Sequence, residues 1–176
     1  MRASLLFVAS AIALSVCVGG CSGSSGQLRG SVYRDREASY RIGPLSSGWS
    51  RLRVEDQNDL AWSHAGHASI VQVNSTCDPA SDVPLVTLTN HLLMGFTDRD
   101  VREQAIVTMD EREALRTHVV ARLDGVPREL LLYVLKKDDC VYDLALLAPV
   151  GEPFERSLLE FEPFVAGFST ETGEAR

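Results

Sequence analysis

The chain predicts an α+β fold in which an antiparallel sheet is flanked by two main helices, an α/β/α sandwich. Three observations predict it. Short alternating apolar runs bounded by Gly, Pro, Asn, Asp and Ser recur up to Val73 and again from Ala105 onward, the mark of strands joined by tight turns. Between these runs Leu85, Leu88, Leu92 and Phe96 fall on one stripe, and near the C-terminus Phe154, Leu158, Phe161, Val165 and Phe168 do the same, the period of a helix burying one face. Asp124-Gly125 separates two alternating runs, and this pair accepts the left-handed dihedrals of a two-residue hairpin.

In chain order, the residues after Gln27 and up to about Glu37 are polar and charged without period, which predicts a flexible spacer. Ala38–Ile42 alternates with Tyr40 and Ile42 on one side, and a turn cluster follows at Pro44-Leu45-Ser46-Ser47-Gly48-Trp49. Strands are expected over Arg51–Glu55, around Leu60 and Trp62, and over Ser69–Val73. Asp82 is the expected N-cap of the first helix, with Pro84 in its first turn and Gly95 near its end. Thr97–Gln104 is expected as a polar connection, then a strand at Ala105–Met109, a turn at Asp110–Glu113 and a strand over Arg116–Asp124. Glu129–Leu135 is apolar on both faces, as a central covered strand would be. Lys137-Asp138-Asp139 turns it into Val141–Ala148. Pro163 is expected to kink or break the last helix.

The N-terminus reads as an address. Arg2 precedes an apolar run from Leu5 to Val16, and Val18-Gly19-Gly20 leads into Cys21. This run is shorter than the roughly 20 residues of a membrane span, and it resembles a bacterial lipoprotein signal peptide with Cys21 as the lipidated residue. The resemblance implies a division into signal (1–20), lipidated cysteine and tether (21–37), one globular domain (38–169) and a polar tail (170–176). Ser22, rather than an aspartate, follows the cysteine, which under the sorting pattern of such lipoproteins implies the outer membrane, periplasmic face. Loss of Arg2 with the signal takes the formal charge from −7 to −8. So acidic a chain repels phosphate backbones and anionic headgroups. Nucleic acid is therefore not an expected partner, and membrane attachment is expected through the lipid alone.

With Cys17 removed and Cys21 lipidated, Cys77 and Cys140 remain. An exported even pair points to a disulfide, and two unpaired thiols are the alternative. Neither lies in a Cys-x-x-Cys spacing, which argues against a metal.

Pro44 with Gly48-Trp49, the Asp124-Gly125 hairpin, Tyr142 in the last long strand and Phe161-x-x-Phe164-x-x-x-Phe168 together resemble the PsbP-like fold, shared with DcrB-type lipoproteins. That resemblance implies an antiparallel sheet between helices and no shared active site to carry over.

Chemistry-bearing constellations are sparse. His64 and His67 flank Ala65-Gly66 and are the weak metal candidates, but zinc takes three or four ligands and a solvated hairpin tip fits as well. His91 and His118 lie on other elements. Asp138, Asp139 and Asp143 lack the spacing of a calcium loop and read as a solvated turn. The mixed charges of Asp98–Glu103 form an exposed connection or a partner patch. Trp49 and Trp62 are core residues or the lining of a ligand groove. No nucleophile elbow or phosphate-cradling glycine loop is present, so no catalytic residue and no cofactor is assigned. The expected function is a non-enzymatic binding or assembly factor for envelope protein partners. The alternative is a small hydrolase or ligand carrier with a site near His64 and His67.

Overall fold

The computed structural model describes residues 26–54, 58–78 and 82–171. Its elements are β1 (Gln27–Arg29), β2 (Val32–Arg34), β3 (Ser39–Arg41), β4 (Trp49–Arg51), β5 (Leu60–His64), β6 (Ser69–Thr76), α1 (Leu85–Leu92), β7 (Phe96–Met109), β8 (Arg112–Leu123), β9 (Val126–Lys137), β10 (Cys140–Ala148), α2 (Glu152–Ala166) and β11 (Ser169–Thr170). A large antiparallel sheet of seven strands runs β4-β5-β6-β10-β9-β8-β7, and a small one runs β1-β2-β3-β11. The segment expected as a signal peptide (1–20) and Cys21 lie outside the described residues.

Strand alternation sorts the large sheet into two cores. Leu131, Leu135, Leu144 and Leu146 point toward α2 and pack with Phe154, Phe161 and Phe164. Leu130, Leu132, Val119 and Ala145 point the other way, against Leu92 and Leu93 at the end of α1. The layering is therefore α/β/α, as the patterning predicts. β7 to β10 form a meander because each of its turns, Asp110-Glu111, Asp124-Gly125 and Asp138-Asp139, holds both residues at positive φ. Such turns match the right-handed twist of paired strands.

Cys77 and Cys140 are bonded, with their Cα atoms 4.0 Å apart. They lie side by side because β6 and β10 pair with Val141 opposite Thr76, which places Cys77 across from Cys140 at the end of the ladder.

Several expectations are corrected. Residues 27–34 are not a spacer: β1 pairs with β2 and β2 with β3, and Tyr33 is buried against Tyr40, ring centroids 4.9 Å apart. The structured unit also extends past residue 169, since Thr170 pairs with Tyr40. Thr97–Gln104 is strand rather than connection. Register shifts between Thr97 and Asp100 and between Val101 and Glu103 break the two-residue period, so the segment does not read as a strand. Asp82 is not a cap: Pro84 occupies that position without a side-chain bond, and Asp82 accepts from Lys136 Nζ at 2.8 Å. α2 runs through Pro163 to Ala166. The ring removes the bond to the Leu159 carbonyl, but Leu159 is 77% exposed, so that carbonyl is open to solvent, and only three helical residues follow. Asp143 is buried rather than part of a solvated turn, because β10 turns it to the face opposite Tyr142 and Leu144.

Among the described residues, no helix is long and apolar enough to cross a membrane.

Candidate functional site

One corner of the molecule gathers ionisable groups from distant parts of the chain. His64 closes β5, His67 lies in the turn toward β6, and Glu160 faces both from α2. Their ligand atoms all lie within 4.8 Å of one another. Gly48 makes room for this corner: a β-carbon there would strike Nε2 of His64. Trp49 then crosses the His64 ring edge-on at 5.3 Å and donates its indole N–H to Glu160 at 3.0 Å.

The donors are already engaged. The His67 amide donates to Nδ1 of His64 at 3.2 Å, so the neutral ring carries its proton on Nε2. Burial pushes the Glu160 carboxyl upward, but hydrogen bonds from the Ser46 hydroxyl, the Trp49 indole and the Ser46 amide outweigh it and hold it below the ordinary range. The two imidazoles stack face to face, 4.0 Å apart and 17° from parallel. Their in-plane lone pairs therefore run side by side, whereas a tetrahedral zinc needs donors converging at bonds of about 2.0–2.1 Å. Ser157 approaches Nδ1 of His67 at 3.4 Å, yet this serine is fully buried. Its hydroxyl is also committed to the Pro153 carbonyl at 2.8 Å and Ser69 Oγ at 2.7 Å. It is not presented as a nucleophile.

The corner is thus a clasp holding the β4–β5 edge onto α2. Glu160→Gln should lower unfolding stability by about 1 kcal/mol, the net scale of an ordinary hydrogen bond, since the amide keeps one acceptor oxygen but loses the charge. A metal chelator should leave the melting temperature of the wild-type chain unchanged, and a chelator-sensitive melt would show instead that the corner holds a metal.

Beside the clasp, Leu28, Leu45, Trp49, Trp62 and Phe164 line a cleft of about 510 Å³ between the two sheets. Both tryptophans are buried core residues that also form its floor. The remaining histidines do not join. His91 is exposed on α1. His118 bonds Glu129 at 2.8 Å and stacks on Phe154, while the other oxygen of Glu129 accepts from the Gly151 amide; this pins β9 to the start of α2. Sequence reading missed Ser157 and Glu160, which read only as positions on the last helix.

A second feature is an open edge. Among the described residues, β7 ends the large sheet and pairs with β8 alone. Its residues from Thr97 to Gln104 are exposed, and from Glu103 to Met109 it pairs without a register shift. Val101 and Ile106 are 52% and 55% exposed, and both stand on the α1 side of the sheet, opposite Val119 and Leu115 in the neighbouring strand.

No protein-family model and no curated protein sequence matches the chain. Solved structures do match in fold. LpqN of Mycobacterium tuberculosis, a protein involved in cell envelope biogenesis, superposes with TM-score 0.56 at 11% identity, covering 78% of this chain and 87% of LpqN. Cyanobacterial PsbP (CyanoP) of Synechocystis superposes with TM-score 0.57 at 15% identity, covering 87% of this chain and 96% of CyanoP. At such identities the likeness is one of fold: the chain has the PsbP-like α+β architecture.

Proposed function

We propose that this chain is a lipid-anchored extracytoplasmic protein, held by Cys21 in the outer membrane, that binds protein partners of the cell envelope and carries no catalytic centre. The observation that carries the reading is the edge of β7. Its stretch Gln104-Ala105-Ile106-Val107-Thr108-Met109 is uncharged, rich in strand-forming residues and unpaired on its outer side. Natural edges are usually blunted by charge or bulges. Here the charges and both register shifts lie before Gln104, and the part after them is left open. An open uncharged edge suits strand addition, in which main-chain hydrogen bonds supply affinity and alternate side chains supply selectivity. The lipobox-like N-terminus and the likeness to LpqN, which is involved in cell envelope biogenesis, support an envelope setting.

The test is a photo-crosslinking residue at Thr108 in the full chain, activated in the cells that make it. A discrete adduct is expected from Thr108 and none from Leu159, an exposed control on α2. Ile106→Lys should abolish the adduct while changing unfolding stability by no more than about 0.5 kcal/mol, as exposed substitutions do. No adduct from Thr108, or the same adduct from Leu159, would contradict the assignment.

A further inference from the structure

The outer face of the small sheet is basic in an acidic protein. Pairing sets Gln27 opposite Arg34 and Arg29 opposite Val32; it then sets Arg34 opposite Ser39 and Val32 opposite Arg41. Because side chains alternate along a strand, Tyr33 and Tyr40 turn inward and are buried, and Arg29, Arg34 and Arg41 turn outward together. Arg36 joins them from the β2–β3 turn. These four arginines, with Gln27, Val32, Asp35 and Glu171, line a cleft of about 740 Å³.

The two carboxylates do not cancel the four guanidinium groups. Asp35 is turned into its own loop, accepting from the amides of Glu37 and Ala38 and from the Tyr33 hydroxyl. Glu171 bridges Arg34 and Arg41 at 2.8 and 2.7 Å, which leaves Arg29 and Arg36 without an acidic partner among the described residues of this cleft. The face is therefore net positive on a chain whose formal charge is −7.

Its position relative to Cys21 gives that charge a counterpart. Gln27 both opens β1 and lines the cleft. The six residue steps from Cys21 to Gln27 can span at most about 22 Å. A lipid on Cys21 accordingly keeps this face close to the bilayer. Anionic leaflets attract basic side chains with about 1 kcal/mol each over a Debye length of about 10 Å.

We propose that the arginine face of the small sheet docks on the headgroup phosphates of anionic phospholipids in the membrane that carries the anchor, an inference that rests on lipidation of Cys21. The docking adds a protein contact to the lipid that net charge alone led us to expect, and it orients the domain with β1 and β2 against the surface.

The test is amide hydrogen exchange of the mature lipoprotein in nanodiscs of phosphatidylcholine, with and without phosphatidylglycerol. Exchange across β1, β2 and their turn should slow roughly fivefold in the anionic discs, the factor for one basic side chain at such a surface. Salt at about 0.5 M should remove the difference. Arg29→Gln with Arg36→Gln, which breaks no ion pair among the described residues, should also remove it without changing exchange in α2. Equal exchange in the two kinds of disc would overturn the proposal. So would the same slowing from millimolar inorganic phosphate in neutral discs, which would mark a free-anion site. The intact mass of the same sample reports the lipid. A protein without it contradicts the anchor, whereas a lipidated protein with equal exchange contradicts the docking alone.

Discussion

Replacing Cys77 and Cys140 together by alanine should destabilise the domain by about 4 kcal/mol, and by no less than about 2. The bridge closes a loop of 63 residues, and in the chain-entropy model a loop of that size restricts the unfolded ensemble by roughly this amount. The β6–β10 ladder already brings the two backbones together in the folded chain, so the bridge restricts chiefly the unfolded one. Urea unfolding of the double variant should show the loss as a lower midpoint, and melting should fall by roughly 10 °C for a domain of this size. The same shift should follow treatment of the wild-type chain with a thiol reductant. An unchanged midpoint under reduction would mean that the bridge is absent from the folded protein, and with it the argument for an oxidising compartment.

The second large effect is expected at Asp143. Its side chain is 6% exposed, and Oδ1 has no hydrogen-bond partner among the described residues. Burial pushes its carboxyl up to about 7, the charge of Asp59 adds to this, and a bond from Asn74 only partly opposes it. A raised folded-state value means that the native chain holds this proton more tightly than the unfolded chain. Between about pH 4 and 7 the unfolded form ionises first, so this residue's contribution to stability falls as pH rises and is fully lost above that window. Asp143→Asn imitates the protonated acid at every pH. The variant should match wild type near pH 4 and exceed it by about 2–4 kcal/mol at pH 8, because each tenfold change in proton affinity on folding is worth about 1.4 kcal/mol. Paired urea titrations at the two pH values check this. A difference that does not change with pH would show that Asp143 is ionised in the folded protein.

The parts of the fold legible in the sequence are those where one local rule dominates. The Asp124-Gly125 turn and the strands on either side of it obey both turn chemistry and alternation, and the phenylalanine stripe of α2 follows the helical period. β1 and β2 escaped notice because each has three residues, and their outward arginines hide the single buried position that Tyr33 supplies. β7 escaped because its bulges shift the period within a run of charges. At Pro163 the local rule is sound but falls where the helix has almost ended, so it loses to the packing of Phe161 and Phe164. The clasp was half legible: His64 and His67 are near neighbours in sequence, but Glu160 reaches them only because α2 lies across β6 and β10. Net charge is silent on the small sheet, since a sum over the whole chain conceals the arginines that pairing gathers on one face.

Both the partner edge of β7 and the headgroup face of the small sheet need the domain to be held at a membrane through Cys21. The direct measurement is the intact mass of the full chain's mature product, extracted from membranes with detergent, together with sequencing of its N-terminal peptide. The prediction is a polypeptide that begins at Cys21 and carries the added mass of a thioether-linked diacylglycerol, absent from the Cys21→Ala variant, which should accumulate as unprocessed precursor. A mature product that begins at any other residue, or an unmodified Cys21, would contradict it.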